Sequence, residues 1–423
     1  MPNGTPPTVV VIGAGFAGLA TVKALEKAPV QTTLVDQHNY HLFSPLLYQV
    51  GTALLDPSEI ATPVRAVVGP IDNAEFHLGR VEGIDLDSRT VKTDREDIAY
   101  DYLVVCTGSR TNFFGNRTLE ERSVGLKDMD DALSLRSRVL DLFEKAKWEE
   151  DTAKHSRLLT FVVVGGGSTG IETAGALIEL IHFNLKKDFK EMDLSEVSVT
   201  LVEGSDAVLG PFHPKLQQSA LRTLERKGVK VMLNTRVGEV RDGEVELSDG
   251  TVMPCGLVVW TAGVCASELG SAVASELGRG GRVPVDSTLQ LPGHPEVFVI
   301  GDLAQITEDG KVLPMLAPVA QQGGRCAARN ISAMAEGRTP ERFKYMDKGI
   351  MSTIGRNAAV AQVGPLRIGG FVGWLAWLFV HLLLIVSFRS QVSIVVNWAW
   401  NYVLNDRPAR TILRADARGE GIG

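Results

Sequence analysis

Cysteine is scarce in this chain of 423 residues, which contains only Cys106, Cys255, Cys265 and Cys326. No two of them are spaced as Cys-x-x-Cys, which argues against a zinc site and against a local redox disulfide. They also do not form the dense framework of a small secreted domain. The eight histidines show no metal-binding spacing. We therefore expect no metal site and no dithiol relay.

An excess of positive charge is also lacking, since the formal net charge is −7 at pH 7. Nucleic-acid-binding proteins usually carry a basic stripe, so we expect no nucleic-acid partner. No basic stretch precedes the first apolar run, which therefore predicts a strand and not a signal peptide, in a cytoplasmic chain. The length is sufficient for two or three domains.

Two copies of a G-x-G-x-x-G motif are the clearest positive signal. Each copy follows an apolar run that predicts a strand and opens a predicted helix, in VVVIGAGFAGLA and in FVVVGGGSTGIETAGALIEL. The first glycine makes the tight turn, the second lets the backbone approach a pyrophosphate, and the third lets the helix pack on the strand. This context predicts two dinucleotide sites. Their glycines are Gly13, Gly15 and Gly18 in the first copy and Gly165, Gly167 and Gly170 in the second.

An acidic residue ends the next predicted strand after each motif, Asp36 in the first case and Glu203 in the second. A carboxylate at this position accepts hydrogen bonds from the ribose hydroxyls of an adenosine. Glu203 would also repel a 2′-phosphate, and no arginine follows it closely in the sequence. NADH is therefore favoured over NADPH. The alternative is that these glycines and acids are only features of strand ends.

The order of elements around the two motifs is the same: strand, glycine turn, helix, acid-ended strand, antiparallel meander, and a strand that leads to a glycine. This is a repeat on the scale of whole domains. It predicts an α/β chain with two Rossmann-like dinucleotide-binding domains. Two dinucleotides suggest FAD and NAD, because a flavin accepts a hydride from a nicotinamide.

One long apolar run stands out near the C-terminus, at residues 371–388. It approaches the length of a membrane-spanning helix, but it contains His381 and Ser387 and is followed at once by Arg389. Tryptophans, which prefer the membrane interface, occur in this run and in the segment that follows. We expect two amphipathic helices lying in one leaflet. A buried core helix or a dimer interface is the alternative.

Motifs across the chain resemble a known family. VVVIGAGFAGL, CTGSRTNFFG, VVVGGGSTGIETAGAL, VVWTAGV and VFVIGDLA are similar to the two-dinucleotide-domain flavoprotein oxidoreductases of the glutathione-reductase fold. YHLFSPLLYQVGTALLDPSEIATPVR, APVAQQGGRCAARNI and DKGIMSTIGRNAAVA, with the Trp-rich C-terminal segment, resemble the type II NADH dehydrogenases. These are single-subunit, non-pumping NADH:quinone oxidoreductases. The resemblance covers nearly the whole chain.

The resemblance implies FAD at the first glycine motif and NADH at the second. FAD would be held by Gly13, Gly15, Gly18, Asp36, Thr107, Gly108 and Asp302, and NADH by Gly165, Gly167, Gly170, Glu203 and Gly263. Glu172 would lie near the nicotinamide side of the flavin, and Lys348 close to the isoalloxazine. Either residue, or water, would supply the protons for quinone reduction. The resemblance also implies that the enzyme is peripheral (monotopic) on the cytoplasmic face of the cell membrane. A homodimer is a further candidate assembly.

The quinone end of the resemblance leaves an alternative open. The family pattern before its helix is close to A-P-V-A-x-Q-Q-G-R. An ungapped alignment matches Gln322 to the first Gln and places Gly323 at the second, whereas a shifted one pairs Gln321 with Gln322. We prefer the ungapped alignment, because Arg325 then also matches. The alternative is a polar helix start with no ligand.

The implied domains are an FAD-binding domain at residues 1–125 and 270–345, an NADH-binding domain at 126–269, and a membrane-anchoring region at 346–423. Two other functions remain open, namely a flavoprotein reductase with another acceptor, of the sulfide:quinone type, and a membrane-bound NADH sensor. Sulfide chemistry needs cysteines at the flavin. Cys106 and Cys326 are expected instead to be small buried residues.

Overall fold

The computed structural model describes residues 6–413, which form two compact units. The first unit contains residues 6–42, Ala61–Arg110 and Val264–Asp347, and the second contains Phe43–Ile60, Thr111–Gly263 and residues 348–413. Residues 1–5 and 414–423, at the outer ends of the predicted segments 1–125 and 346–423, lie outside the described residues. The predicted domain bounds stay a prediction.

The first unit is built on a six-stranded sheet. All neighbouring strands are parallel except the first pair in the order below. Parallel strands are covered on both faces and therefore read as continuous runs of branched apolar residues. Val9, Val10 and Val11 fit this rule, since all three are buried. The order is Gln290–Leu291, His294–Val299, Tyr102–Val105, Thr8–Ile12, Gln31–Asp36 and Ala74–Leu78.

Two helices of the first unit, Phe16–Ala24 and Ala317–Ala335, pack against each other with close backbone contact. A Cβ on Gly324 would lie 2.4 Å from the carbonyl oxygen of Ala17, so only glycine allows this approach. An antiparallel sheet is formed by Val81–Asp85, Thr90–Thr93 and Asp97–Ala99. Shorter elements are the helix Val64–Val68 and the strand pairs Tyr40–Leu42 with Ala61–Pro63, Val283–Pro284 with Ala304–Gln305, and Thr307–Glu308 with Lys311–Val312.

The second unit repeats the pattern with a parallel four-stranded sheet, in the order Val229–Met232, Ser198–Val202, Thr160–Val164 and Leu257–Trp260. Two antiparallel sheets accompany it. They are Val237–Arg241 with Glu244–Leu247 and Val252–Pro254, and Ile350–Thr353 with Ala359–Val363 and Leu366–Gly369. The α/β class and the doubled Rossmann-like arrangement predicted from the repeat are therefore confirmed.

The helices of the second unit include the one that follows the second glycine motif, Ser168–Leu180, which continues into a π-helical turn at Ile181–Leu185. The other α-helices are Leu47–Gly51, Pro57–Ile60, Arg117–Arg122, Met129–Trp148, Thr152–Leu158, Lys186–Asp188, Pro214–Arg226, Gly370–Leu384 and Phe388–Leu404.

The apolar C-terminal run and the segment that follows it form two helices, Gly370–Leu384 and Phe388–Leu404, as the sequence predicts. Ser387 caps the second one by accepting a hydrogen bond from the Ser390 amide. Within residues 6–413, no helix has both the length and the apolar character that crossing a membrane requires.

Polar contacts attach one face of helix Phe388–Leu404 to the rest of the second unit. The carboxylate of Glu59 is buried and accepts hydrogen bonds from Ser393 Oγ, at 2.5 Å, and from Asn397 Nδ2. Trp398 Nε1 donates to Gln49 Oε1 at 2.8 Å. The inner face of this helix is therefore held by directional bonds as well as by packing.

Candidate dinucleotide-binding sites

The first glycine turn has the geometry that the motif requires. Gly13 lies at φ +107°, a backbone conformation that side chains disfavour. A Cβ on Gly18 would lie 1.8 Å from the Gly13 carbonyl oxygen, so a larger residue cannot fit between helix and strand. Gly15 is extended, and a Cβ there would meet nothing within 4 Å. Open space therefore lies in front of the middle glycine, where a phosphate would approach the backbone.

The second glycine turn has the same geometry. Gly165 also lies at φ +107°, and a Cβ on Gly170 would also lie 1.8 Å from the carbonyl oxygen of the first glycine. Gly167 is extended with open space in front of it. Both turns stand at the carboxyl end of a parallel strand and begin a helix, which is where dinucleotides bind in such sheets.

Both predicted acids bond to their own glycine turn. Asp36 Oδ2 accepts the amide of Ala14 at 2.6 Å, and Glu203 Oε2 accepts the amide of Gly166 at 2.5 Å. Each amide belongs to the residue after the first glycine. The second oxygen of Glu203 accepts the backbone and hydroxyl of Ser205, at 2.7 and 2.6 Å. The acids therefore fix the turn as well as standing where ribose hydroxyls are expected, a role that sequence spacing did not indicate.

One residue beside Glu203 was missed in the sequence. The exposed side chain of Arg236 lies against Gly204, since a Cβ on that glycine would be 3.1 Å from Arg236 Cγ and 3.3 Å from Nε. An arginine therefore lies near this strand end in the folded chain, although none follows Glu203 closely in the sequence. No local signal identifies Arg236, because it arrives on the loop between strands Val229–Met232 and Val237–Arg241.

Each glycine turn also receives a side-chain hydrogen bond from the neighbouring strand that does not carry the acid. The donor is the residue directly after that strand. Cys106 Sγ lies 3.0 Å from the Ile12 carbonyl oxygen and 3.4 Å from that of Gly13. Thr261 Oγ1 makes the same two contacts in the second unit, at 2.8 Å to Val164 and 3.3 Å to Gly165. Burial raises the pKa of the Cys106 thiol. The expectation that Cys106 is a small buried residue is confirmed, and Cys326 is buried as well.

Buried polar atoms near the first turn fit a polar cofactor. His41 Nδ1 lies 2.9 Å from the Ala14 carbonyl oxygen, and because a carbonyl only accepts, Nδ1 carries the proton. Within residues 6–413, Nε2 of His41 and Oγ1 of Thr107 are buried and have no hydrogen-bond partner. Buried polar groups are normally paired. Ser109 Oγ donates to Asp302 Oδ2 at 2.5 Å, which orients that carboxylate at the same strand ends. These groups suit the hydroxyls and phosphates of FAD.

Glu172 lies in the first turns of helix Ser168–Leu180 and is buried. Its Oε1 accepts the Thr353 amide at 3.1 Å and the Ser352 hydroxyl at 3.4 Å. Burial raises the pKa of Glu172 to about 8, and these two hydrogen bonds oppose the increase only in part. The carboxyl group of Glu172 therefore retains its proton to a higher pH than an ordinary glutamic acid does.

Tyr48 is a second buried titratable residue in this unit, and the sequence analysis did not single it out. Its hydroxyl accepts from Gln49 Nε2 at 2.8 Å. Burial, and then the charge of Glu172, raise the pKa of Tyr48 well above its usual value. Its only sequence signal was its place in the SPLLYQVG stretch that carries part of the family resemblance.

The predicted quinone residues open helix Ala317–Ala335. Both ends of the Gln322 amide are engaged with the Met346 backbone, at 2.9 Å each. Within the described residues, the Gln321 amide makes no hydrogen bond to the protein, and Gly323 is buried. Lys348 is exposed. The ligand roles of these residues stay predictions. Within residues 6–413 there is also no cluster of side chains that suits a metal ion.

Comparison with known proteins defines the class. The pattern of the pyridine nucleotide-disulphide oxidoreductase family matches residues 7–324, and this chain belongs to that family. The type II NADH:quinone oxidoreductase Ndh of Mycobacterium tuberculosis is 40% identical over 429 residues, covering 97% of this chain and 92% of that protein. Within the class, the chain therefore belongs to the type II NADH:quinone oxidoreductases.

Solved structures show the same fold. NDH2 from Plasmodium falciparum in complex with NADH superposes with a TM-score of 0.87 at 17% identity, over 97% of this chain and all (100%) of that one. The sulfide:quinone oxidoreductase of Aquifex aeolicus gives a TM-score of 0.70 at 20% identity, over 96% and 92%. At these identities the likeness concerns the fold and not the substrate.

Proposed function

We propose that this chain binds FAD, oxidises NADH and passes two electrons through the flavin to a quinone, without pumping protons. The observation that carries the proposal is the presence of two complete glycine turns of equal geometry, one in each unit. The family membership agrees with it. When bound, FAD supplies the chemistry by accepting a hydride from NADH and releasing the electrons to the quinone.

The first unit holds FAD in this proposal. Gly13, Gly15 and Gly18 form the phosphate cradle, and Asp36 receives the adenosine ribose. The open space before Gly15 and the unpaired Oγ1 of Thr107 support these roles. Gly108 and Asp302 line the same strand ends.

The second unit holds NADH, with Gly165, Gly167 and Gly170 as the cradle and Glu203 at the ribose. Gly263 follows the neighbouring strand Leu257–Trp260 at φ +146°. Helix Ser168–Leu180 directs its amide end toward the phosphates, which favours the anionic dinucleotide.

Glu172 holds a proton for quinone reduction in this proposal. Its raised pKa supports the role, because a carboxylic acid with a pKa near neutral pH can donate a proton and then take up another one. Ser352 and Thr353 orient the carboxyl group through Oε1. Lys348 is the proposed residue at the flavin ring. The proposed quinone residues are Gln321, Gln322 and Gly323, and Gln321 is favoured as the contact because its amide makes no hydrogen bond to the described residues.

The exposed faces of the C-terminal helices support a membrane surface as the docking partner. Apolar side chains stand in water on the faces opposite the polar inner contacts, namely Phe371, Val372, Leu375, Phe379 and Leu383 on one helix and Phe388, Val392, Val395, Val396 and Val403 on the other. Large contiguous apolar surfaces mark interaction sites. We place them against the cytoplasmic face of the cell membrane, where quinone is available. A homodimer is the other way to cover them.

The principal test is an anaerobic titration of the purified flavoprotein with NADH, followed by addition of a soluble quinone analogue. We expect NADH to bleach the flavin absorbance and the quinone to restore it faster than oxygen does. Slow bleaching would favour the NADH sensor. Rapid bleaching with no reoxidation by quinone would favour another acceptor, such as that of a sulfide:quinone enzyme.

Docking is tested by flotation with vesicles of anionic phospholipid. The double variant Phe379→Glu and Val396→Glu should lose vesicle binding, because two charges would enter the interface. Val312→Glu, which places the same charge on an exposed apolar residue of the first unit, is the matched control and should still float. Loss of a dimer in sedimentation, with flotation unchanged, would assign the face to a second copy instead.

A further inference from the structure

Phe114 combines an exposed aromatic ring with an unusual backbone. Its side chain is 66% exposed, and it lies at φ +54°, in the left-handed region. Bulky residues rarely adopt this conformation, and it persists only where the surroundings hold it. Its neighbour Phe113 packs beside the core of the same unit, with its ring 6.4 Å from that of Trp260. Packing therefore accounts for Phe113 and leaves the placement of Phe114 unexplained.

Hydrogen bonds fix the loop that presents Phe114. Asn112 Oδ1 accepts the Phe114 amide at 2.8 Å, and the Asn112 amide donates to the Gly263 carbonyl at 3.1 Å. Trp260 Nε1 donates to the Asn112 carbonyl at 2.9 Å, and the two rings of Trp260 and Phe114 meet edge to face at 6.4 Å. The loop is thus attached to the carboxyl end of strand Leu257–Trp260.

The sheet order places this loop on a definite side of the second glycine turn. Strand Thr160–Val164, which leads into the turn, lies between Ser198–Val202 and Leu257–Trp260. Glu203 follows the first neighbour and marks the adenosine side. A dinucleotide crosses the carboxyl edge of such a sheet at this point, so its other half extends over the second neighbour. Phe114 stands there, and a Cβ on Gly263 would lie 3.7 Å from its Cζ.

We propose that Phe114 is a binding residue that stacks its ring on the nicotinamide half of NADH. The proposal rests on the proposed function, because it takes NADH to be the ligand of the second unit. A planar nicotinamide gains contact and ring-stacking energy on a phenyl face that the loop holds ready. The oxidised product has a cationic ring, for which the same face offers a cation–π contact. The missing side chain of Gly263 keeps the space beside the ring tip free.

The test is calorimetric binding to the oxidised, FAD-containing protein, with two ligands. Tetrahydro-NAD has a nicotinamide-like ring that cannot donate hydride, and ADP-ribose lacks that ring. Phe114→Ala should weaken tetrahydro-NAD binding about tenfold and change ADP-ribose binding less than twofold. Phe114→Tyr, which keeps the aromatic face, should bind both ligands as the unmodified protein does. Trp148→Ala removes another exposed ring of this unit and is the matched control.

Unchanged tetrahydro-NAD binding in Phe114→Ala would overturn the proposal, and so would equal weakening of both ligands, which would mean that the loop supports the site as a whole. Melting temperatures of the variants separate these results from unfolding. If the unmodified protein failed to bind tetrahydro-NAD, the proposed function itself would be wrong, and the two failures are therefore distinguishable.

Discussion

The two glycine turns share their backbone and differ in the side chains built onto it. The neighbouring strand supplies Cys106 to the first turn and Thr261 to the second, and both donate to the same two carbonyl positions. A thiol and a hydroxyl thus perform one structural task. The comparison teaches that the cysteine nearest the first turn belongs to the fold, and that its presence is no evidence for thiol chemistry.

The turns differ more in the helix that each begins. Helix Phe16–Ala24 has 9 residues, and none of them is acidic. Helix Ser168–Leu180 has 13 residues and carries Glu172, whose carboxyl group is buried and has a raised pKa. Phosphate binding needs no such group. The buried carboxyl group is therefore a feature of the second site that dinucleotide binding does not explain, and it fits the proposed proton-holding role.

The largest effects are expected from the third glycine of each turn. Gly18→Ala and Gly170→Ala both place a Cβ where the first glycine's carbonyl stands. We expect Gly18→Ala to lose its flavin, and Gly170→Ala to keep the flavin while NADH no longer bleaches it. Flavin absorbance per protein and the anaerobic NADH titration measure the two outcomes.

Gly15→Ala and Gly167→Ala are the matched controls, since open space surrounds those positions. They should fold normally and weaken only their own ligand, by roughly tenfold, because the Cβ would keep the phosphates from the backbone. If Gly170→Ala lost flavin and Gly18→Ala did not, the assignment of the two ligands would be reversed.

The acids should give the next largest effect. Glu203→Ala removes the bond to Gly166 and the repulsion of a 2′-phosphate, while Arg236 remains beside the next residue, Gly204. We expect NADH to bind about tenfold more weakly and NADPH more tightly than before. In the double variant with Arg236→Ala, the gain for NADPH should disappear. Unchanged NADH-over-NADPH selectivity in Glu203→Ala would rule out Glu203 as the selector.

A pH-dependent stability effect of a few kcal/mol at most is expected at Glu172. The folded protein keeps this proton up to about pH 8, whereas the ordinary carboxyl pKa is 4.5. Between these values the folded state binds the extra proton, so this group makes stability fall as pH rises. Glu172→Gln should flatten that part of the profile in denaturant unfolding from pH 5 to 8. An equally steep profile would mean that Glu172 ionises normally.

The smallest effect is expected at Cys106. Cys106→Thr copies the residue of the second turn, and Cys106→Ser keeps a donor, so flavin content and NADH oxidation should change less than about twofold. Cys106→Val keeps the size and removes the donor, and its melting temperature should fall. A large loss of turnover in Cys106→Ser with intact flavin would revive the sulfide-type alternative.

Much of the site was predictable because it depends on local backbone requirements. Gly13 and Gly165 must adopt positive φ, and the third glycine must leave room for a carbonyl. The glycine spacing, with an apolar strand before it and a helix after it, therefore identifies both turns. Arg236 and Phe114 could not be found in this way. The side chain of Arg236 lies beside Gly204 only because of the sheet order. The placement of Phe114 depends on the bond of its amide to Asn112 and on the attachment of Asn112 to the end of another strand.

The sequence by itself determined the doubled α/β architecture, the two turns and their acids, because glycine spacing, apolar runs and strand-end carboxylates act over short stretches of chain. Only the tertiary structure decided that Asp36 and Glu203 fix their own turns, that Gln322 is engaged by Met346, and that the pKa of Glu172 is raised. Those hydrogen bonds and that pKa shift depend on burial and on partners that are distant in sequence. Both conditions arise only when the chain has folded.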